Sequence, residues 1–377
     1  MPIDGETLVA RSLAIIADGQ AASGAYVACP AYPTYRYCWF RDGTFVAHAV
    51  DLWGEHVGPA RFYSWASGAV VARAAAIGRC VEAAARDCHP DPADLLHTRY
   101  TLDGRPGDED WPNFQLDGFG TLLWGFRRHQ EIVRAPLPRV WSDAVRLLVR
   151  YLAALWHRPN ADCWEEFPDR IAVSTLAAIY AGLHAAAAML GRDDADGALA
   201  AATAARVRAE VLRGGVRDGR LIKQLYGADE VDASLLWAGV PFGAHALLAP
   251  DDPLMRATAG RIAADLTGGT GGIHRYRADT FYGGGEWVLL TALLGEYQAL
   301  AGDGDGAERC RRYAERHADA HGQLPEQLSA APLAPERVAE WIDRWGPVAQ
   351  PLLWSHAGYL SLSAALNPAR TLLTQQR

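Results

Sequence analysis

Apolar residues recur at helical spacing along almost the whole chain, in segments rich in Ala, Leu, Arg and Glu. This 3.6-residue periodicity and these residue types are typical of α-helices. Alternating runs of β-branched residues joined by Asn-Gly or Asp-Gly turns, which would indicate β-hairpins, are nearly absent. The pattern predicts twelve helices, at Thr7–Asp18, Thr44–Leu52, Pro59–Ala85, Gly118–Val133, Val140–Trp156, Ala172–Leu190, Ala195–Leu212, Ser234–Leu248, Pro253–Leu266, Trp287–Ala301, Gly306–Ala320 and Pro351–Leu366.

The connections between these helices fall into two length classes. The short, polar or Gly/Pro-bearing connections are 134–139, 191–194, 249–252 and 302–305. The long connections are 19–43, 86–117, 157–171, 213–233, 267–286 and 321–350. In an antiparallel ring of helices every second connection emerges at the same end, so all six long loops would gather at one face.

This alternation predicts an all-α fold, an (α/α)6 barrel of six inner and six outer helices around one core. The long loops would build a single pit at one mouth, and the chain would form one domain over residues 1–377. An open helical solenoid is the alternative, but its repeats would resemble one another in sequence, which these segments do not visibly do.

Composition narrows the possible partners. Hydrophobic residues make up 50% of the 377, charged residues 21%, and the formal net charge is −8. Such values are typical of a soluble globular protein. Nucleic acid or an anionic membrane is not expected as a partner, because Lys and Arg are interspersed with acids rather than clustered. We find no uncharged apolar run of about 18 residues, and therefore expect no membrane span.

The N-terminal segment and the cysteines favour a cytoplasmic protein. The segment MPIDGETLVARSLAII lacks the basic start and continuous apolar run of a secretory signal. The six cysteines include no C-x-x-C pair, so we expect free thiols and no structural zinc. Acidic stretches at 193–197 and 302–306 look like calcium loops but lack the required glutamate, and they are more simply helix-connecting turns.

Aromatic and charged residues concentrate in the long loops. Tryptophan is unusually frequent, at 13 residues, which suggests a platform for stacking ring-shaped ligands, although core filling is the alternative for any one of them. In the first loop Tyr37 and Trp39 precede the adjacent charges Arg41 and Asp42, a grouping suited to the hydroxyls of a neutral ligand. The alternative is a salt bridge capping the next helix.

The second and third loops add acids beside tryptophans. Trp111 and Asp117 lie in DWPNFQLDGFG, where Asp117 could simply be a helix N-cap. Glu165 and Glu166 follow a tryptophan in NADCWEEFPDR. A carboxyl against an aromatic wall and beside a like charge can stay protonated as a general acid, whereas the alternative is a solvated acidic pair at a helix start.

The fifth and sixth loops complete the set of candidates. Arg275, Asp279 and Trp287 surround three glycines that would let backbone approach a ligand closely. No Lys-Ser/Thr follows these glycines, so a phosphate loop is not indicated. Glu326 is a lone acid between apolar residues, for which a helix cap is the alternative.

At these loops the sequence resembles glycoside hydrolase family 15, the glucoamylase-like inverting α-glucosidases. The matching pieces, in order, are YRYCWFRD, WPNFQLDG, CWEE, HRYRADTFYGGGEW, PEQLS and LLWSHAGYL. The resemblance implies an (α/α)6 barrel, which agrees with the fold derived from loop lengths. It also implies two catalytic carboxyls, Glu165 as general acid and Glu326 as general base.

The resemblance assigns the remaining loop residues to substrate. Arg41, Asp42 and Arg275 would hold the hydroxyls of the terminal glucose, and further residues would line the site. The full set of expected substrate-binding residues is Tyr37, Trp39, Arg41, Asp42, Trp111, Asp117, Glu166, Arg275, Asp279 and Trp287. Without the family analogy the residues do not decide which of Glu165 and Glu166 is the acid. No metal or organic cofactor is expected for this chemistry.

We expect neither the N-terminal β-sandwich nor the carbohydrate-binding module that many members of the family carry. A bare barrel suits a small oligosaccharide better than granular starch. We therefore expect an exo-acting hydrolase that releases β-glucose from isomaltose or other α-1,6-linked glucooligosaccharides. The alternatives are an α-1,4-glucan or trehalose hydrolase, a non-catalytic sugar-binding barrel, and a lyase or epimerase on a similar toroid.

Overall fold

The computed structural model describes residues 4–367. Its thirteen α-helices in this range are α1 Gly5–Asp18, α2 Phe40–Leu52, α3 Val57–Val71, α4 Ala74–Ala85, α5 Asp117–Val133, α6 Arg139–Leu155, α7 Val173–Leu190, α8 Ala195–Gly214, α9 Pro253–Leu266, α10 Val288–Leu300, α11 Gly304–His317, α12 Val338–Trp345 and α13 Leu353–Ala365. Six two-residue strands form three antiparallel pairs: β1 Cys38–Trp39 with β2 Arg99–Tyr100, β3 Val216–Arg217 with β4 Arg220–Leu221, and β5 Glu286–Trp287 with β6 Gln327–Leu328.

The helices form the expected (α/α)6 barrel. The inner ring closes through contacts of α2 with α5, α5 with α7, α10 with α13 and α13 with α2, and a segment of short 3₁₀ helices completes it between α7 and α10. The outer layer is formed by α1, α3, α6, α8, α9 and α11. This closed ring confirms the fold predicted from loop lengths.

Two inner helices approach so closely that only glycine fits between them. A Cβ added at Gly120 of α5 would lie 2.4 Å from the Ala178 carbonyl oxygen, and one at Gly182 of α7 would lie 2.2 Å from the Gly120 carbonyl oxygen. Real Cβ atoms do not approach backbone so closely. These glycines therefore set the spacing of the inner ring beneath the loops.

The predicted helix at Ser234–Leu248 is wrong. The structure has two short 3₁₀ helices there, Ala233–Ala238 and Gly243–His245, separated by Pro241. Proline has no N–H for the helical ladder and disfavours the α conformation at the preceding residue, which outweighs the apolar periodicity. The segment still occupies a place in the inner ring and buries Leu235 and Trp237.

Two further helix predictions need correction. The predicted helix Pro59–Ala85 is broken into α3 and α4 around residues 72–73. The helix α12 lies inside what the sequence indicated as the sixth long loop. None of the residues of α12 is buried. The search for apolar residues facing a core therefore did not identify this helix.

The expectation that no segment has the length and apolar character of a membrane span is also wrong. The 18-residue helix α7 meets both criteria, with a mean hydropathy of 1.6, but 67% of it is buried in the protein. It is the core helix that contacts α5 and α8. An inner helix of a barrel touches protein on every side, so it is apolar around its whole circumference.

The acidic turns and the cysteines have simple structural roles. Asp194 and Asp303 cap α8 and α11 by accepting backbone N–H groups. All six cysteines are free thiols, and five of them are buried. Within residues 4–367 no cluster of three or more His, Cys, Asp or Glu side chains could hold a metal ion.

Candidate active site

One pocket of about 370 Å³ opens where the long loops meet. Small-ligand sites are typically of this size. It is lined by residues of the first, second, third, fifth and sixth long loops. The lining includes these candidates from the sequence: Trp39, Arg41, Asp42, Trp111, Glu165, Glu166, Arg275, Trp287 and Glu326.

A tight turn presents Glu165 and Glu166. The Asp162 carboxylate accepts the backbone N–H groups of Trp164 at 2.9 Å and Glu166 at 3.1 Å. Glu165 has a φ of 67°, a left-handed conformation that is uncommon for a residue with a side chain. Backbone strain of this kind concentrates at functional sites, where the surrounding structure enforces it.

The two glutamates have different partners. Glu166 accepts a hydrogen bond from the Arg275 guanidinium at 3.2 Å and another from the Tyr276 hydroxyl. Glu165 accepts a hydrogen bond from the indole Nε1 of Trp39 at 2.7 Å. Glu166 is therefore held as the anionic member of an ion pair, whereas the partner of Glu165 is neutral.

Glu326 enters the pocket from the sixth loop, directly before β6. Its backbone N–H donates to the Ala349 carbonyl at 2.9 Å, and its Oε1 accepts a hydrogen bond from the Tyr35 hydroxyl at 3.1 Å. The side chain is 4% exposed, and burial raises its pKa to about 8. Its Oε2 has no hydrogen-bond partner among the described residues, so the carboxylate has acceptor capacity to spare.

The carboxyls of Glu165 and Glu326 each accept a hydrogen bond from an aromatic residue, and the two aromatic rings are neighbours. Tyr35 bonds to Glu326 and Trp39 bonds to Glu165, and the centroids of these two rings lie 5.7 Å apart. Glu326 and Glu165 thus face one space from different loops without bonding to each other.

Arg41 and Asp42 occupy the buried part of the pocket. Arg41 Nε lies 3.2 Å from Asp42, and Arg41 Nη1 donates to Gln115 and to Asp117, each at 3.1 Å. The guanidinium lies over the ring of Trp354, 5.2 Å from its centroid. Burial raises the pKa of Asp42 to about 6, and the charge of Arg41 opposes the rise. The ion pair expected as an alternative is present, and both residues also line the pocket.

Arg275 forms the second buried cation. Its Nε donates to Asp279 at 2.8 Å, and its guanidinium carbon lies 5.3 Å from the ring centroid of Trp164 and 5.4 Å from that of Trp287. Each buried arginine is thus balanced by two carboxylates. Glu165 and Glu326 add two further acids, so the pocket suits a neutral ligand better than an anion.

Three residues expected at the substrate do not line the pocket. Asp117, fully buried, lies behind Arg41, and it is the first residue of α5, not its N-cap. Asp279 lies behind Arg275. Tyr37 packs edge-on against Trp39, with a ring-centroid separation of 6.5 Å. These three side chains position the residues that do line the pocket.

The sequence reasoning missed several lining residues. Phe281 lies in the fifth loop and Trp354 in the first turn of α13, and neither carries a charge that would single it out. Trp341 and Trp345 lie on α12, and their spacing of four residues was an available signal that both share one helical face.

Arg99, which the sequence reasoning also missed, packs behind the aromatic side chains of the first and second loops. It is fully buried, pairs with Trp39 in the β1–β2 register, and donates to Glu109 at 2.7 Å. Its guanidinium lies 3.9 Å from the ring centroid of Trp111 and 4.3 Å from that of Tyr37. Such cation–π stacking fixes the tryptophans that face the ligand.

Comparison with known proteins agrees with this geometry. The family model "Glycosyl hydrolases family 15" matches residues 5–344. Isomaltose glucohydrolase of Kribbella flavida is 42% identical over 361 residues, covering 95% of this chain and 92% of that protein. A glycosidase variant in complex with glucose superimposes with a TM-score of 0.90 at 41% identity, covering 95% of this chain and 96% of that one.

More distant structures share the fold. A glucoamylase from Saccharomycopsis fibuligera has a TM-score of 0.72 at 15% identity, covering 98% of this chain and 96% of that one. The match of the family model and the 42% identical relative together decide the family. The chain therefore belongs to glycoside hydrolase family 15, a family of inverting enzymes, and is a glycoside hydrolase.

Proposed function

We propose that this enzyme releases β-glucose from the non-reducing end of isomaltose and other short α-1,6-linked glucooligosaccharides. The observation that carries the proposal is the convergence of Glu165 and Glu326 on one pocket whose buried part holds Arg41, Asp42 and Arg275. The α-1,6 linkage is supported by the 42% identity to an isomaltose glucohydrolase.

The terminal glucosyl unit takes the buried part of the pocket. Arg41 and Arg275 offer N–H donors, Asp42 offers acceptors, and the faces of Trp164 and Trp287 offer apolar walls. A neutral sugar needs this combination of directional hydrogen bonds and flat surfaces. A pocket closed at one end admits a chain terminus but not the middle of a chain, which makes the action exo.

Glu165 is the general acid in this proposal. Because an indole N–H can only donate, the Trp39 bond makes Oε1 of Glu165 the acceptor, and the proton of the acid form resides on Oε2. That proton goes to the glycosidic oxygen as the bond to the anomeric carbon breaks. Glu166 cannot take this part, because its carboxylate is bound to Arg275 and Tyr276.

Glu326 is the general base. It takes a proton from a water molecule that attacks the anomeric carbon from the face opposite the leaving group. Attack from that face inverts the anomeric configuration, and the product is β-glucose. Inverting glycosidases separate the two carboxyls by about 6.5–9.5 Å to leave room for this water.

The assignment can be tested with two substrates that differ in their need for an acid. We expect Glu326→Gln to lower kcat for isomaltose and for α-glucosyl fluoride by about 10²–10⁴-fold. Glu165→Gln should show the same loss for isomaltose but retain most activity on the fluoride, since fluoride leaves without protonation. The exposed Glu336 supplies a control, because Glu336→Gln should leave both rates unchanged.

The stereochemistry and the linkage need separate measurements. β-Glucose should be the first anomer detected by ¹H NMR, and α-glucose appearing first would contradict the roles given to Glu165 and Glu326. Glucose release from isomaltose, maltose, kojibiose, nigerose, trehalose and dextran should be fastest for isomaltose. A higher kcat/KM for maltose or trehalose than for isomaltose would contradict the proposed preference for α-1,6 linkages. It would not affect the roles proposed for Glu165 and Glu326.

A further inference from the structure

The sixth loop places an aromatic helix at the open end of the pocket. Trp341, Arg344 and Trp345 of α12 all line the pocket. None of the residues of α12 is buried, whereas Arg41 is 5% exposed and Arg275 is 2% exposed. The helix therefore lies on the solvent side of the pocket, away from the two buried arginines.

The helix is fixed in place by the fifth loop. The ring of Trp341 packs against Phe281 at a centroid separation of 4.9 Å and against Tyr282 at 6.1 Å. The Tyr282 hydroxyl donates to the Gly346 carbonyl at 2.8 Å, just after α12 ends. The orientation of α12 is thus tied to the same loop that carries Arg275.

The exposed guanidinium of Arg344 has unused donors. It lies 5.0 Å from the ring centroid of Trp345 and 5.7 Å from that of Trp341. Within residues 4–367 no carboxylate forms an ion pair with it. Two flat apolar rings with free N–H donors between them match a hydroxylated sugar ring.

Resting on the proposed function, we propose that α12 is the leaving-group site, where Trp341, Arg344 and Trp345 bind the second hexose of the substrate. The bond to be cleaved lies between Glu165 and Glu326, and the glucosyl unit on one side of it fills the buried part. The hexose on the other side must then occupy the solvent end, which α12 lines. The contacts of this helix select the leaving group and hence the linkage.

The test compares a disaccharide with a substrate that has no second sugar. In isomaltose the leaving group is glucose, whereas in α-glucosyl fluoride it is a single atom that cannot reach α12. We expect Trp341→Ala and Arg344→Ala each to lower kcat/KM for isomaltose about tenfold, chiefly by raising KM. The kcat/KM for α-glucosyl fluoride should stay within about twofold of the wild-type value. Ile342→Ala is the matched control, because Ile342 lies on the same helix, is 44% exposed and does not line the pocket.

Each other outcome overturns the inference. Equal losses on both substrates would mean that α12 shapes the glucosyl site. Unchanged kinetics on both substrates would mean that α12 does not contact the leaving group. Arg344→Ala keeps the test decisive if Trp341→Ala fails to fold, because the Arg344 side chain is exposed. A wild-type enzyme inactive on both substrates would instead overturn the proposed function itself.

Discussion

A buried glutamate of α10, outside the active-site pocket, makes the stability of the protein depend on pH. Glu296 of α10 is 4% exposed and faces a small cavity of about 30 Å³ that His48 and Ser361 also line. Its carboxyl makes no hydrogen bond and no ion pair with any of residues 4–367. Burial alone raises its pKa from 4.5 to about 8. Glu296 is therefore protonated in the folded protein at neutral pH.

The sign of the effect follows from proton counting. Below pH 4.5 the folded and unfolded states both hold the proton on Glu296, so the group contributes no pH dependence. Between pH 4.5 and about 8 the unfolded chain releases the proton and the folded protein keeps it. Stability falls by roughly 1.4 kcal/mol per pH unit across this window, to a total of at most about 5 kcal/mol.

Glu296→Gln removes this titration while keeping the shape of the side chain. The free energy of unfolding of the variant, minus that of the wild type, should grow by about 3.5 kcal/mol between pH 5 and pH 8, because the slope is reduced near both pKa values. Guanidinium unfolding followed by circular dichroism at pH 5, 6, 7 and 8 measures the difference, with the exposed Glu336→Gln as control. A difference that stays flat with pH would refute the reasoning, since it would show Glu296 ionised in the folded protein.

Three further expectations follow from the packing and the charges of the barrel. Gly182→Ala should lower the free energy of unfolding, measured by guanidinium denaturation, by about 1–3 kcal/mol, because its Cβ would lie 2.2 Å from the Gly120 carbonyl oxygen. The control is Gly78→Ala, at a helical position with open space around it, which should raise the free energy of unfolding by about 0.5–1 kcal/mol. Arg275→Lys should lower kcat/KM for isomaltose by about tenfold to a hundredfold with the fold retained by circular dichroism, since lysine cannot serve Asp279 and the substrate at once. The proposed base Glu326 would work only when ionised, and its raised pKa of about 8 should place the acid limb of the kcat/KM profile well above the 4.5 of an ordinary glutamate; a limb at 4.5 would contradict the burial argument.

The fold could be predicted because helical periodicity and loop length are local properties of the chain. The helix predicted at Ser234–Leu248 was wrong, because one proline outweighs an apolar pattern. The helix at α7 was predicted correctly, but its length and apolar composition, which match those of a membrane span, were overlooked. Charged residues that line the pocket, such as Arg41 and Glu326, could be identified as candidates because they lie in the long loops. Arg99 was not found, because its role depends on rings that the fold brings to it from other loops.

The site divides into two parts that are held in different ways. The glucosyl end is anchored to the barrel, since Trp39 and Trp287 lie in two-residue strand pairs and Arg41 lies in the first turn of α2. The leaving-group end depends on α12, an exposed helix within one loop. Changes in α12 can alter which sugar is accepted beyond the cleaved bond without moving Glu165 or Glu326. We therefore expect linkage preference among proteins with this barrel to follow the residues of α12 more closely than the residues around Glu165 and Glu326.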